Sequence, residues 1–130
     1  MAISAAKTDI LLEIEDLHLS FGGVNVLNGI NLSVQRGDIY SIIGPNGAGK
    51  TTTFYMTVGM VKPDKGRIFL DEEDITDYPM YLRARRGVGY LPQETSIFRK
   101  LTVKQNIMAI LEILSISAEE REDRASMLLE

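Results

Sequence analysis

Gly44-Pro45-Asn46-Gly47-Ala48-Gly49-Lys50-Thr51 satisfies G-x-x-x-x-G-K-[ST] in full. Each residue type in the run has a physical task. Glycines let the chain wrap until successive backbone N–H groups point inward at phosphate oxygens, and a helix opening at the end of the loop adds its positive N-terminus. The Lys50 ammonium would reach β- and γ-phosphates, the Thr51 hydroxyl would ligate Mg²⁺, and the Thr52 hydroxyl would hold an α-phosphate oxygen. The plainer alternative is a glycine turn followed by a surface lysine. With Gly near 7% of ordinary composition, chance supplies the pattern in a chain this short on the order of a few times per thousand. Residues 44–52 are therefore expected to bind a nucleotide with Mg²⁺, and the loop alone does not separate kinases, switch GTPases, helicases and transport ATPases.

The flanks of the loop fit that expectation. Residues 39–43, Ile-Tyr-Ser-Ile-Ile, form a short, nearly continuous apolar run bounded by glycine, which predicts a central strand covered on both faces. Residues 50–60 predict a helix, stopped by Lys62-Pro63-Asp64-Lys65-Gly66. Further out, Ile10, Leu12, Ile14, Leu17 and Leu19 alternate with one slip, predicting a half-buried strand that carries a bulge or bend. Phe21, Gly22 and Gly23 end it, and Ile30, Leu32 and Val34 predict a second strand antiparallel to the first. Downstream, residues 67–70 predict a strand, the acidic group 71–74 a hairpin tip, and residues 88–91 another short strand. Asp77 is placed to cap a short helix beginning near Pro79. Thr102 and Gln105 form a capping box ahead of an amphipathic helix, and Ser117 with Glu120 repeats the chemistry.

Composition bounds the remaining possibilities. The 130 residues carry 14 Lys+Arg against 18 Asp+Glu, a net charge of -4, 45% hydrophobic residues and no cysteine. This is one small globular domain or part of one, and it excludes a disulfide scaffold, a thiolate metal site and a Cys nucleophile. The acidic excess argues against a nucleic-acid partner. No apolar run approaches the roughly 20 residues that cross a bilayer, so any membrane role is peripheral. His18, among apolar strand residues, reads as a core or edge imidazole rather than a catalytic one. Arg83, Arg85 and Arg86 admit a phosphate or lipid-headgroup patch, and the favoured reading is a solvated helix end.

Beyond the loop, Gly87-Val88-Gly89-Tyr90-Leu91-Pro92-Gln93 ends on a carboxamide, and Ile97-Phe98-Arg99-Lys100-Leu101-Thr102-Val103 leads into a helix reading Gln105-Asn106-Ile107. With these segments, residues 11–130 resemble the ATP-binding subunits of ABC transporters. The wording is most similar to the lipopolysaccharide-export ATPases of Gram-negative bacteria, through residues 83–87 and 90–103. The branched-chain amino-acid importer ATPases are similar but weaker in the second stretch. The resemblance implies an α/β fold, the P-loop NTPase core of an ABC ATPase with an antiparallel β subdomain. Residues 1–8 are then a mobile tail, 9–130 the N-terminal portion of the nucleotide-binding domain, and about 102–130 the start of a helical subdomain.

Roles follow from the same resemblance. Phe21 would stack on adenine, a position where the family usually has Tyr; Gly44, Pro45, Asn46, Gly47, Ala48, Gly49, Lys50, Thr51 and Thr52 would be the Walker A loop. Gln93 would be the Q-loop glutamine, approaching Mg²⁺ and the attacking water, so that Lys50 and Gln93 carry the catalytic roles and Thr51 and Gln93 face the metal. Residues 93–102 would receive an integral-membrane transporter subunit, and the full-length ATPase would work as a homodimer on the cytoplasmic face of the inner membrane. Taken alone, Phe21 reads equally as a core aromatic and Gln93 as a solvated loop residue; their positions relative to Gly44 favour the functional roles. The family's signature motif, Walker B strand, catalytic Glu and switch His are not among these residues, and the last helix has no stop signal. The chain is accordingly expected to be the N-terminal half of such an ATPase, truncated before those motifs, binding ATP without turnover by itself. A non-transport nucleotide switch on the same domain and a binding module without turnover are the competing functions.

Overall fold

The computed structural model describes residues 9–45, 47 and 49–130. The expectation for residues 1–8, and the roles given to Asn46 and Ala48, lie outside the described residues. The chain divides into two compact units, residues 1–80 and 81–130.

In the first unit, strands β1 (Ile10–Phe21) and β2 (Val24–Gln35) form an antiparallel hairpin. Its two-residue turn is Gly22-Gly23, both at positive φ, a backbone that matches the twist of the flanking strands and that glycine adopts without strain. Strand β3 (Lys65–Leu70) pairs with the other edge of β1, and β4 (Glu73–Asp74) pairs with β3, giving the antiparallel order β2-β1-β3-β4. Helix α1 (Lys50–Val58) ends at Gly59 in the left-handed conformation. Ile14, Leu17, Leu19, Leu27, Met56, Ile68 and Ile75 make one buried cluster from the sheet, the helix and the segment after β4.

The slip in the β1 pattern is a bulge. The register with β2 shifts between Ile14 and Leu17, and Asp16 sits at φ 47, so Ile14 and Leu17 reach the same core despite their odd spacing. Polar contacts hold the bulge. The Asp16 N–H donates to Asn31 Oδ1 at 2.9 Å, and its carboxylate takes Lys65 Nζ at 3.0 Å and His18 Nε2 at 2.8 Å. Lys65 first and His18 second hold the Asp16 carboxyl below the usual range. His18 is thus a half-buried imidazole on an inner strand, paired with both β2 and β3 and attached to the bulge, rather than an edge residue.

Gly66 is where β3 meets this bulge. Its φ is 106, and a Cβ there would lie 2.4 Å from the Asp16 carbonyl oxygen and 2.7 Å from that of Glu15, both backbone atoms. Gly66→Ala is expected to destabilise the chain by about 2–4 kcal/mol, the sum of an unfavourable φ and an overlap that only strand displacement relieves. Urea denaturation would measure it. The acidic group 71–74 is the expected hairpin tip: Asp71 and Glu72 turn at positive φ, while Asp74 accepts from Arg67 at 2.6 Å and from the Thr76 N–H at 3.0 Å. Thr76 is the main cause that lowers the Asp74 carboxyl, with Arg67 adding to it.

Two strand expectations are corrected. Residues 39–43, read as the central strand, and residues 88–91, read as a short strand, adopt no strand conformation. Ile39 is 99% exposed, Ile43 93%, and Leu91 is exposed as well. The reason is pairing: a buried-type strand needs neighbours for its N–H and C=O groups, and among the described residues none lies beside either segment. Apolarity alone does not make a strand.

The short helix α2 (Met80–Arg85) corrects the arginine reading. Arg83 is 2% exposed, whereas Arg85 and Arg86 are exposed. Helical spacing separates Arg83 from Arg85, since positions 81 and 85 share a face and 83 points away from it, while Arg86 lies beyond the end of the helix. Arg85 lies over the Tyr81 ring, 5.7 Å from its centroid. In the second unit, helix α3 (Val103–Leu111) has the complete capping box, with the Gln105 N–H on Thr102 Oγ1 at 3.1 Å and the Thr102 N–H on Gln105 Oε1 at 2.8 Å. Ser117 Oγ caps helix α4 (Ala118–Leu129) through the Glu120 N–H, and Lys104 pairs with Glu122 across the two helices.

Candidate nucleotide-binding site

The loop reaches α1 through Gly49, which is buried at φ 87; Gly47 has φ 87 and is exposed. Both glycines adopt a left-handed backbone that residues with a Cβ rarely take. Helix α1 begins at Lys50 with Gly49 as its N-cap, without a side-chain cap and without an acidic residue in the first turn. Its N-terminal N–H groups and positive dipole end therefore meet no compensating side chain, the electrostatic setting that favours an anion.

Lys50 Nζ donates to the Gly44 carbonyl, folding the ammonium back over its own loop. A charge-assisted contact of this kind keeps the cation in the cradle, where phosphate oxygens would compete for it. The three threonines divide their work. Thr53 is buried, with Oγ1 donating to the Gly49 carbonyl at 2.8 Å, while Thr51 is exposed and Thr52 half-buried at the helix start. For Mg²⁺, the described residues contain no cluster of three or more His, Cys, Asp or Glu side chains. Thr51, exposed at the start of α1, carries the hydroxyl that would hold the ion from this unit.

Phe21 is 56% exposed at the end of β1, beside the Gly22-Gly23 turn of the hairpin. Gln93 belongs to the second unit, exposed in a segment without regular structure. In that unit Ile97, Phe98 and Leu101 stand out of the surface, Phe98 at 65% exposure. Asn106 pins the segment: the Phe98 N–H donates to its Oδ1 at 2.8 Å, and its Nδ2 donates to the carbonyls of Phe98 at 3.1 Å and Thr102 at 2.9 Å. Sequence reading missed this organising role, as it missed Thr53. The available signals were an Asn eight residues after Phe98, in the first turn of a capped helix, and a Thr four residues after Gly49.

A glycine-rich loop that folds its lysine inward and opens an uncapped helix defines the P-loop nucleotide-binding class. The family described as ABC transporter matches residues 27–130. Over 120 residues the chain is 52% identical to the lipopolysaccharide export system ATP-binding protein LptB of Escherichia coli (strain K12), covering 92% of this chain and 50% of that protein. It is 50% identical over 121 residues to the protein of the same name from Haemophilus influenzae, with 92% and 50% covered. Among solved structures, an ATP-binding subunit of an ABC transporter superposes with a TM-score of 0.76 at 31% identity, over 88% of this chain and 47% of that one. The chain belongs to the ABC transporter family, on its ATP-binding side. It spans about half the length of the curated relatives it matches.

Proposed function

We propose that this chain supplies the phosphate cradle of an ABC transporter ATPase, binding Mg-ATP through Gly44 to Thr52, with Phe21 stacked on the adenine. The observation that carries the reading is the complete loop opening α1 at Lys50 with no side-chain cap. Lys50 neutralises the β- and γ-phosphates, the N–H groups at the start of α1 hold their oxygens, and the Thr51 hydroxyl faces the metal. Phe21 offers a π-face without base-edge hydrogen bonds, so discrimination between ATP and GTP is small.

In the full-length protein, ATP binding and hydrolysis would drive closure of a homodimer, and the exposed apolar segment pinned by Asn106 would receive an integral-membrane subunit. The identity with lipopolysaccharide-export relatives supports that system as the transported pathway. It also supports a position on the cytoplasmic face of the inner membrane. No helix among the described residues is long and apolar enough to cross a membrane. Gln93 is assigned the link between this surface and the attacking water. Exposed Ile97, Phe98 and Leu101 favour the transport reading over a non-transport switch, which has no use for an apolar docking segment.

Affinity recovery of the full-length protein from detergent-solubilised membranes tests the proposal. Phe98→Ala is expected to reduce recovery of the integral-membrane partner about tenfold or more, the effect of truncating an interface anchor, while leaving Mg-ATP affinity unchanged. Equal partner recovery with Phe98→Ala would remove residues 93–102 as the docking segment.

A further inference from the structure

One side chain of the β1–β2 hairpin bears directly on the phosphate loop. A Cβ built on Gly49 would lie 2.4 Å from Leu27 Cδ2 and 3.3 Å from the Val26 carbonyl oxygen, so β2 packs against the last glycine of the loop itself. Leu27 is buried in the core cluster, and its cross-strand partner Leu19 is buried with it. Its methyl groups therefore have fixed neighbours behind them. On the helix side, buried Thr53 returns its Oγ1 to the Gly49 carbonyl at 2.8 Å, beside its own N–H at 2.9 Å. Gly49 is thus held between a side chain from the sheet and a hydroxyl from the helix.

A cavity of about 270 Å³ adjoins this contact, with Leu27, Gly49, Lys50 and Thr53 among its lining residues. Lys50 and Thr51 follow Gly49 immediately, and a change in the orientation of its peptide moves both. Phe21 lies on the same hairpin as Leu27, so one rigid element carries the aromatic face and the support of the phosphate loop.

We infer that Leu27 and Thr53 are positioning residues for the phosphate loop, setting nucleotide affinity through Gly49 without touching the nucleotide. The inference rests on the nucleotide reading of residues 44–52. Leucine has no donor for a phosphate, and the Thr53 hydroxyl is committed to Gly49. Their effect is geometric, and small displacements of binding groups carry large consequences.

Calorimetric titration of the 130-residue chain with Mg-ATP and, separately, with Mg-tripolyphosphate separates the phosphate cradle from the base. Wild type, Lys50→Ala, Leu27→Ala, Leu27→Met, Thr53→Val and Thr53→Ser would be compared well below their unfolding midpoints. Leu27→Ala is expected to weaken both ligands by the same factor, about tenfold, because the loss lies in the cradle. The near-isosteric Leu27→Met should stay within about threefold of wild type. Thr53→Val should weaken both ligands, with Thr53→Ser restoring them. A residue that matters only for folding would lower the unfolding midpoint and leave these affinities in place, and that result overturns the inference. So does a loss confined to Mg-ATP, which would place the effect at the base. If Leu27→Ala does not fold, the Thr53→Val and Thr53→Ser pair decides by the same criterion. Binding that is equal in wild type and Lys50→Ala would instead overturn the nucleotide reading, and the inference with it.

Discussion

Lys50→Ala is expected to lower affinity for Mg-ATP on the order of tenfold to a hundredfold, the loss of a charge-assisted contact to phosphate worth about 1.5–3 kcal/mol. The chain should keep its fold, because Lys50 is only half-buried and its ammonium contacts the loop carbonyl of Gly44 rather than the core. Mg-ADP should lose less than Mg-ATP, since the lysine spans the β- and γ-phosphates and ADP offers one of them. Competition between a fluorescent nucleotide analogue and each unlabelled nucleotide would measure both ratios. Equal affinity in wild type and variant would contradict the assignment of Lys50.

The second large effect concerns turnover. Hydrolysis requires a group that orients the attacking water and a carboxylate near the metal, in addition to the phosphate cradle. No signature motif, Walker B sequence or switch His occurs in the 130 residues. Phosphate release by this chain is therefore expected to match the Lys50→Ala control over many equivalents of ATP. Sustained release above the control would mean that Glu94, beside Gln93, or another carboxylate supplies the missing function.

The loop and the local devices around it were legible because each is written in contiguous residues. The eight-residue P-loop pattern, the Gly22-Gly23 turn, the Thr102–Gln105 box and the slip that became the Asp16 bulge all depend on short-range chemistry. What failed depends on neighbours remote in sequence. Residues 39–43 have the composition of a central strand, but a strand exists only where other strands take up its backbone groups, and no local pattern encodes that. Arg83 was misread for a related reason. Charge predicted a solvated position, whereas a six-residue helix leaves the face opposite Tyr81 and Arg85 to be buried. Leu27 belongs to no sequence motif, and its contact with Gly49 exists only through the packing of the hairpin on the loop.

Equilibrium titration of the 130-residue chain with Mg-ATP by isothermal calorimetry tests the central claim most directly. One saturable site per chain is expected, displaced by Mg-ADP and by Mg-tripolyphosphate, because the affinity resides in a phosphate cradle at the start of α1. Heat no greater than that of dilution, or binding that tripolyphosphate does not displace, would contradict it.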